Sequence, residues 1–321
     1  MPITPTQSNV QAALRSFLLA VLAGNAAVAP AVFVGTIAGT VLTVASVLAG
    51  TIAVDSPVLG AAPGTVITAL GTGTGGPGTY TISIDQEIDD PTTMSTGVSV
   101  VSGQANRAPE TVNPFFVVMT PIRFERIETN VDSYQDSKFT GSIAGTLMTV
   151  SAFDPVLDGP IEVGSQIFGV GVAAGTIVTA LGTGSGGTGT YQVSPSQTLS
   201  SRTLSAGVET LEQPTKVTVQ LDFHSPDLST AGDMAQTVST LFRDDFAVQQ
   251  FANQNPNYGD ITPLYADDPK QVPFINDQQQ YEWRWVVEAM LQANQVVSVP
   301  QQFADQVTVE IISVDASYPP S

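Results

Sequence analysis

Apolar and polar residues alternate with period two along residues 216–223. Val217, Val219, Leu221 and Phe223 fall on one side, and Thr218, Gln220 and Asp222 on the other. Such a strand predicts one buried and one wet sheet face. The same period governs 281–292, where Tyr281, Trp283, Trp285, Val287, Ala289 and Leu291 alternate with Glu282, Arg284, Val286, Glu288 and Met290. Trp283 and Trp285 share parity with Tyr281 and Val287, which assigns both indoles to a packed face and not to a carbohydrate platform. Two stretches carry a helical period instead. Over residues 8–23, Val10, Leu14, Phe17, Leu18 and Val21 share a face, with Gly24 and Asn25 as a C-terminal stop. Over residues 229–252, Ser229 or Thr230 can cap a helix striped by Met234, Val238, Leu241, Phe242, Val248 and Phe251. Strands at 98–101, from 115 to 121 and on towards 127, and at 307–314 complete the pattern. The polar stretch 253–280 shows no regular period.

A repeat organises the rest. GTIAGTVLTV at 35–44 returns as GSIAGTLMTV at 141–150, and GTVITALGTGTGGPGTYTIS at 64–83 as GTIVTALGTGSGGTGTYQVS at 175–194. Fourteen of the latter twenty positions are identical, which marks a duplication. Thr, Val and Ile runs broken by glycine clusters predict a small all-β unit in each copy. The glycine string has a G-x-G-x-x-G-like spacing, but a phosphate loop needs a helix directly after it, and GTYTIS reads as a strand. It is therefore read as a tight β-turn.

Removing the copies, residues 32–97 and 139–207, leaves 1–31, 98–138 and 208–321 as one discontinuous domain of 186 residues. The expected fold class is α+β: a mostly antiparallel sheet with two helices on one face, plus two inserted small all-β domains.

Charge changes the picture of what such a chain can bind. Twenty-nine acidic residues against ten basic ones give a net charge of −19, and residues 208–321 alone hold sixteen acids and four bases. Affinity for nucleic acid comes largely from Lys and Arg displacing counterions, so specific DNA binding is not expected. The chain has no cysteine, which excludes disulfides, thiolate metal sites and cysteine nucleophiles. His224 is the sole histidine and reads as an end-of-strand residue, so histidine-cluster metal sites and histidine-paired nucleophiles are excluded. The carboxylate pairs Asp244–Asp245 and Asp267–Asp268 are adjacent in sequence; they read as a helix surface and a turn, not as a glycosidase pair. No enzymatic activity and no cofactor are expected. FLLAVL at 17–22 is read as helix and not as a secretory signal, because no charge precedes Arg15. Pro30 and several glycines interrupt the apolar stretch 26–54, which disqualifies it as a membrane helix.

PLYADDPKQVPFINDQQQYEWRW (263–285), VVSVPQQFAD (296–305) and VTVEIISVD (307–315) resemble the C-terminal half of the phage neck or tail terminator proteins. SGQANRAPE (102–110) and FFVVMTPIRFERIETNVDSY (115–134) are similar to the N-terminal half of that family. The two copies of the β-unit resemble small β-domains found in phage virion proteins. The resemblance implies a structural subunit at the head–tail junction of a virion, assembled in the host cytoplasm. It implies a hexameric ring that ends the tail tube and meets head-completion or connector proteins, with the sheath as a further candidate partner. DNA would pass through the lumen unbound, and no membrane is involved. Leu264, Tyr265, Phe274, Arg107 and Arg123 are the candidate subunit contacts, and Asp267 and Asp268 the candidate lumen residues. The rival reading is a decoration or glycan-binding virion protein that displays the β-units, whose aromatics include Phe33, Tyr80, Phe139, Phe153, Phe168 and Tyr191.

Overall fold

The structure, a computed structural model, describes residues 3–22, 30–103, 112–155, 159–272, 274–275 and 281–302. Its elements in chain order are α1 (Gln7–Leu22), β1 (Val32–Ala49), β2 (Ile67–Leu70), β3 (Gly78–Ser95), β4 (Ser99–Ser102), β5 (Phe116–Arg126), β6 (Val131–Phe153), β7 (Gln166–Phe168), β8 (Ile177–Leu181), β9 (Gly189–Ser225), α2 (Leu228–Phe242), α3 (Asp245–Tyr258), β10 (Ile261–Ala266), β11 (Lys270–Gln271), β12 (Phe274–Ile275) and β13 (Tyr281–Pro300). The protein is α+β and mostly sheet. The expected strand at 307–314 lies outside the described residues. The chain divides into two compact units, one of residues 3–130 and 213–296, the other including 131–212.

In the first unit, strands run in the order β10–β13–β9–β5–β4. β10 and β13 pair antiparallel, as do β5 and β9, whereas β4 runs parallel to β5. Val217, Val219, Leu221 and Phe223 of β9 join Val117 and Met119 of β5 and Val287, Ala289 and Leu291 of β13 in one apolar cluster. Leu14, Phe17 and Leu18 of α1, Val238 and Phe242 of α2, and Phe251 of α3 complete it. Phe17 stacks edge-on to Phe242, with ring centroids 5.5 Å apart.

The helix ends differ from the sequence expectation for a definable reason: carboxylate and hydroxyl caps. Thr6, not Ser8, precedes α1, its hydroxyl accepting from Asn9 N at 3.2 Å while Asn9 Oδ1 accepts from Thr6 N at 2.9 Å. Asp227 caps α2 by accepting from Thr230 N at 2.7 Å, in place of Ser229 or Thr230. The single helix expected over 229–252 is two helices, because Asp244 takes extended backbone and accepts from Phe246 N at 2.9 Å, starting α3 afresh.

Two further expectations are corrected. The described part of 253–280 is not irregular: α3 continues to Tyr258, and β10, β11 and β12 return along β13 in antiparallel register. Pro256, Pro263 and Pro269 break the period that would have announced them. The polar side of β9 is not wet either, since Thr218 and Asp222 are buried together with Val118 of the neighbouring strand.

The first copy of the repeat belongs to this unit. Its strands lie in the order β1–β3–β2 around a small core of Phe33, Ile37, Leu42, Ile67, Tyr80 and Ile82. Leu59 packs against the larger cluster. The second unit holds the other copy, where β6 pairs with β9 from Val131↔Glu212 to Val150↔Gly189 around a core that includes Phe139, Ile143, Met148, Ile167, Val178 and Tyr191.

The glycine strings lead into β3 and β9, and a tyrosine occupies each loop. Tyr80 Oη accepts from Gly75 N at 3.0 Å and donates to Gly76 O at 2.6 Å. Tyr191 makes the same pair of bonds to Gly186 N at 3.1 Å and Gly187 O at 2.6 Å. A Cβ on Gly73 or Gly184 would stand 2.4 Å from that ring, so glycine is required there. Thr72 and Thr79 exchange backbone-to-hydroxyl bonds of 3.0 Å each, as do Thr183 and Thr190.

Candidate assembly surface

β10 has β13 as its one strand partner among the described residues, so its other edge is open. Ile261, Pro263 and Ala266 are buried, yet Leu264 and Tyr265 are both exposed although adjacent. The register explains this: Pro263 faces Leu291 and Tyr265 faces Met290, so Leu264 is an extra, bulged residue. A bulge interrupts the alternation and turns two successive side chains outward, a device common at sheet edges. Phe274 lies on β12 opposite Glu282. Its side chain lies outside the described residues, as does all of Arg107.

A second bulge shapes β5, where Pro121 faces Val219 and Arg123 faces Thr218, leaving Ile122 as the extra residue. Ile122, Phe124 and Ile127 are exposed beyond it. Between them, Glu125 binds Arg123 Nη1 at 3.1 Å through one oxygen and Lys216 Nζ at 2.7 Å through the other. The Lys216 hydrogen bond, with the Arg123 charge, holds the Glu125 carboxyl below its ordinary range. A groove of about 330 Å³ runs here, lined by Glu125, Arg126, Ile127, Lys216 and Leu264. Leu264 thus lines this groove, and Arg123 stands outside its lining, bound to Glu125.

Asp267 and Asp268 follow β10 and are tied to the end of α2. Asp267 N donates to Glu288 O at 2.9 Å and Ser239 Oγ to Asp267 O at 3.1 Å. Arg243 Nε donates to Ala266 O at 2.9 Å, while its guanidinium stands 3.7 Å from the exposed Asp268 carboxylate. Asp267 is half-buried.

One polar centre, which links β9 and β13, was not legible in the sequence. Asp222 is fully buried and accepts from Arg284 Nε at 2.8 Å and from Gln220 Nε2 at 2.8 Å. His224, two residues on, is buried and stacks on Phe116, with centroids 4.4 Å apart. Burial lowers its pKa to about 4, with Arg284 acting in the same sense and Asp222 against it. Opposite charges at Asp222 and Arg284 were a readable signal; their pairing across strands was not. Trp285 packs on the apolar cluster as expected, but Trp283 is 41% exposed.

In the other unit, a groove of about 480 Å³ is lined by Phe153, Pro155, Pro160 and residues 185–188. Among the described residues, no group of three or more His, Asp or Glu is placed to hold a metal, and no helix is long and apolar enough to cross a membrane.

Residues 180–315 match the model of the phage neck terminator protein family. The match begins within β8 and spans β9, α2, α3 and β10–β13, the elements that build the open edge. Over these residues the family resemblance drawn from the sequence holds. No curated protein matches the chain.

Proposed function

We propose that this chain, whose residues 180–315 match the phage neck terminator family, closes the end of a tail tube as a ring of six copies and joins it to the head-completion or connector proteins. That match is the observation that carries the reading. A terminator must form a closed, cyclic set of head-to-tail contacts, because an open arrangement would extend the tube. In this reading the discontinuous domain 1–31, 98–138 and 208–321, with its helices on one sheet face, forms the ring, and residues 32–97 and 139–207 are inserted β-domains. Leu264 and Tyr265, turned outward by the bulge on an open edge, supply apolar anchors for the next copy, with Phe274 on the same returning segment. Arg123 contributes from beside the groove, where it holds Glu125, and Arg107 remains a candidate contact. Asp267 and Asp268 line the lumen, where carboxylates keep the phosphate backbone from adhering as DNA passes. The protein is a virion component with a structural role.

The test is the native mass of the purified protein, alone and with tail tubes. A closed ring is expected for the parent, and a folded monomer for Leu264→Asp combined with Tyr265→Ser. A parent that stays monomeric in both settings defeats the ring reading; a variant that still closes rings defeats the assignment of this edge.

The groove beside Phe153 favours a second reading, in which the second β-unit holds a glycan against an aromatic ring and the Ser185 and Thr188 hydroxyls. A glycan array probed with parent and Phe153→Ala decides it: Phe153-dependent signal supports that reading, and its absence removes it.

A further inference from the structure

The duplicated β-unit contains its own control experiment. In the first copy, β3 carries Asp85, Glu87, Asp89 and Asp90, all exposed. The second copy places Ser196 and Thr198 at the positions of Asp85 and Glu87, and Ser200 and Ser201 where the first has Asp89 and Asp90. The alignment is fixed by a shared bond: Gln86 Nε2 donates to Thr65 Oγ1 at 2.9 Å and Gln197 Nε2 to Thr176 Oγ1 at 2.7 Å. The same strand therefore forms with hydroxyls in place of carboxylates, so the fold does not require the four charges. Glu87 accepts from Gly39 N at 3.1 Å, an exposed contact the second copy does without. The strand is also accessible. β2 pairs with β3 only from Tyr80 to Ile82; Ser83 N still donates to Val66 O and Ser95 bridges to Leu59, but along Asp85–Asp90 that flank of β3 has no strand partner among the described residues.

The complementary feature lies at the far end of β5. Three of the ten basic residues of the chain, Arg123, Arg126 and Lys216, gather around the exposed Ile122, Phe124 and Ile127 and the groove that reaches Leu264. Glu125 is shared between Arg123 and Lys216, and Arg126 is exposed with no carboxylate partner among the described residues. Even with Glu128 counted beside Glu125, the patch remains cationic. Copies of a chain with a net charge of −19 repel one another wherever like surfaces meet. Assembly is favoured where this cationic, apolar cluster faces a surface that is acidic without exception. The first copy of the β-unit, residues 32–97, has five acids and no base. Matching of opposite charges at the rim of an apolar contact steers association and fixes its register.

We infer that in the assembled ring the acidic strand β3 of one copy docks on the cationic, apolar end of β5 in the next copy. The inference rests on the ring reading above and gives the first β-unit a task within it, as an arm that reaches a neighbouring subunit. The occupant is a second copy of this chain.

The test substitutes into the first copy what the second already carries: Asp85→Ser, Glu87→Thr, Asp89→Ser and Asp90→Ser together. Assembly is followed by sedimentation velocity and native mass at low and high salt, with near-UV circular dichroism to verify the fold. Half-assembly is expected to need roughly tenfold more protein, with a flatter salt dependence, as for loss of several rim charges. Arg126→Glu should weaken assembly similarly, and adding Glu87→Lys to Arg126→Glu should restore it. If the fourfold variant assembles at the parent's concentration with the parent's salt dependence, the inference is overturned. Loss without rescue by the charge swap also overturns it, since β3 would then serve a different, basic partner. A parent that assembles while these variants behave normally leaves the ring reading standing; a parent that never assembles removes both.

Discussion

Arg284 of β13 reaches across to Asp222 of β9, with Nε 2.8 Å from Oδ1 of a carboxylate that has no exposed surface. Gln220 donates to both carboxylate oxygens, at 2.8 and 3.1 Å. A buried ion pair of this kind adds little net stability over an apolar pair, but removing one partner strands the other charge in a low-dielectric site. Arg284→Met should therefore destabilise the protein by about 3–5 kcal/mol in urea unfolding, and Arg284→Met with Asp222→Leu should recover most of that loss. If the single variant costs less than about 1 kcal/mol, the pair is more hydrated than its burial indicates.

His224 sits beside that pair and titrates unlike an ordinary imidazole, its pKa lowered from 6.5 to about 4 chiefly by burial. The folded state then binds fewer protons than the unfolded state between these two values. Stability should be level above about pH 6.5, fall as pH drops through the window to about 4, and level off for this group below it. The loss could reach roughly 3 kcal/mol at full burial. Carboxylates also titrate at the acidic end, so the informative quantity is the difference between parent and His224→Gln. The variant should show the shallower decline between pH 6.5 and 4.5; parallel curves would mean that the imidazole is protonated while buried.

Much of this was legible in the sequence, and what was not has particular causes. The period-two run ending at Phe223 announced its strand and its apolar side. It could not announce that Thr218 and Asp222, on the polar side, are also buried, because burial there depends on residues distant in sequence. The apolar stripe through Val238, Phe242 and Phe251 fits one long helix. The break at Asp244 lay in a capping carboxylate whose neighbour, Asp245, looked like more helix surface. The edge strand β10 was hidden because its bulge at Leu264 spoils the alternation that reveals strands. Residue type alone points to Leu264, Tyr265 and Arg123, whereas their exposure follows from two bulges that no periodicity shows. Arg107 lies outside the described residues.

The tyrosine–glycine loops make a sharper stability prediction. Tyr191→Phe removes a hydroxyl that accepts from Gly186 N and donates to Gly187 O, and should cost about 1–3 kcal/mol by leaving buried backbone groups without their partner. Gly184→Ala should cost more, because its methyl would overlap the same ring at 2.4 Å. Tyr80→Phe and Gly73→Ala should repeat the order in the first copy. Thermal unfolding of the four variants checks it; an alanine milder than the matching phenylalanine in either copy would contradict the close approach seen here.

The proposed division into a core and two inserted β-units is tested by excision. The chain enters and leaves the first unit at adjacent points: Thr96 N donates to Ala31 O at 2.9 Å, and Ala31 N to Thr96 Oγ1 at 2.7 Å. At the second, Lys138 lies opposite Ser205 and Phe139 opposite Leu204. Short Gly/Ser linkers can therefore replace 32–97 and 139–207 without stretching the remaining chain, as tolerated insertions and deletions require. The two removals should differ in effect. Excising 139–207 takes away a unit whose buried residues form their own cluster, so the remaining chain should unfold near the parent's urea midpoint. Excising 32–97 also removes Leu59, which is half-buried against the large cluster, and should lower stability by about 1–2 kcal/mol, the worth of one half-buried leucine. Leu59→Ala in the full chain should account for most of that difference. Gel filtration and near-UV circular dichroism report whether each shortened chain is folded, and an aggregated or molten product from the 139–207 excision would show that this segment is part of the core.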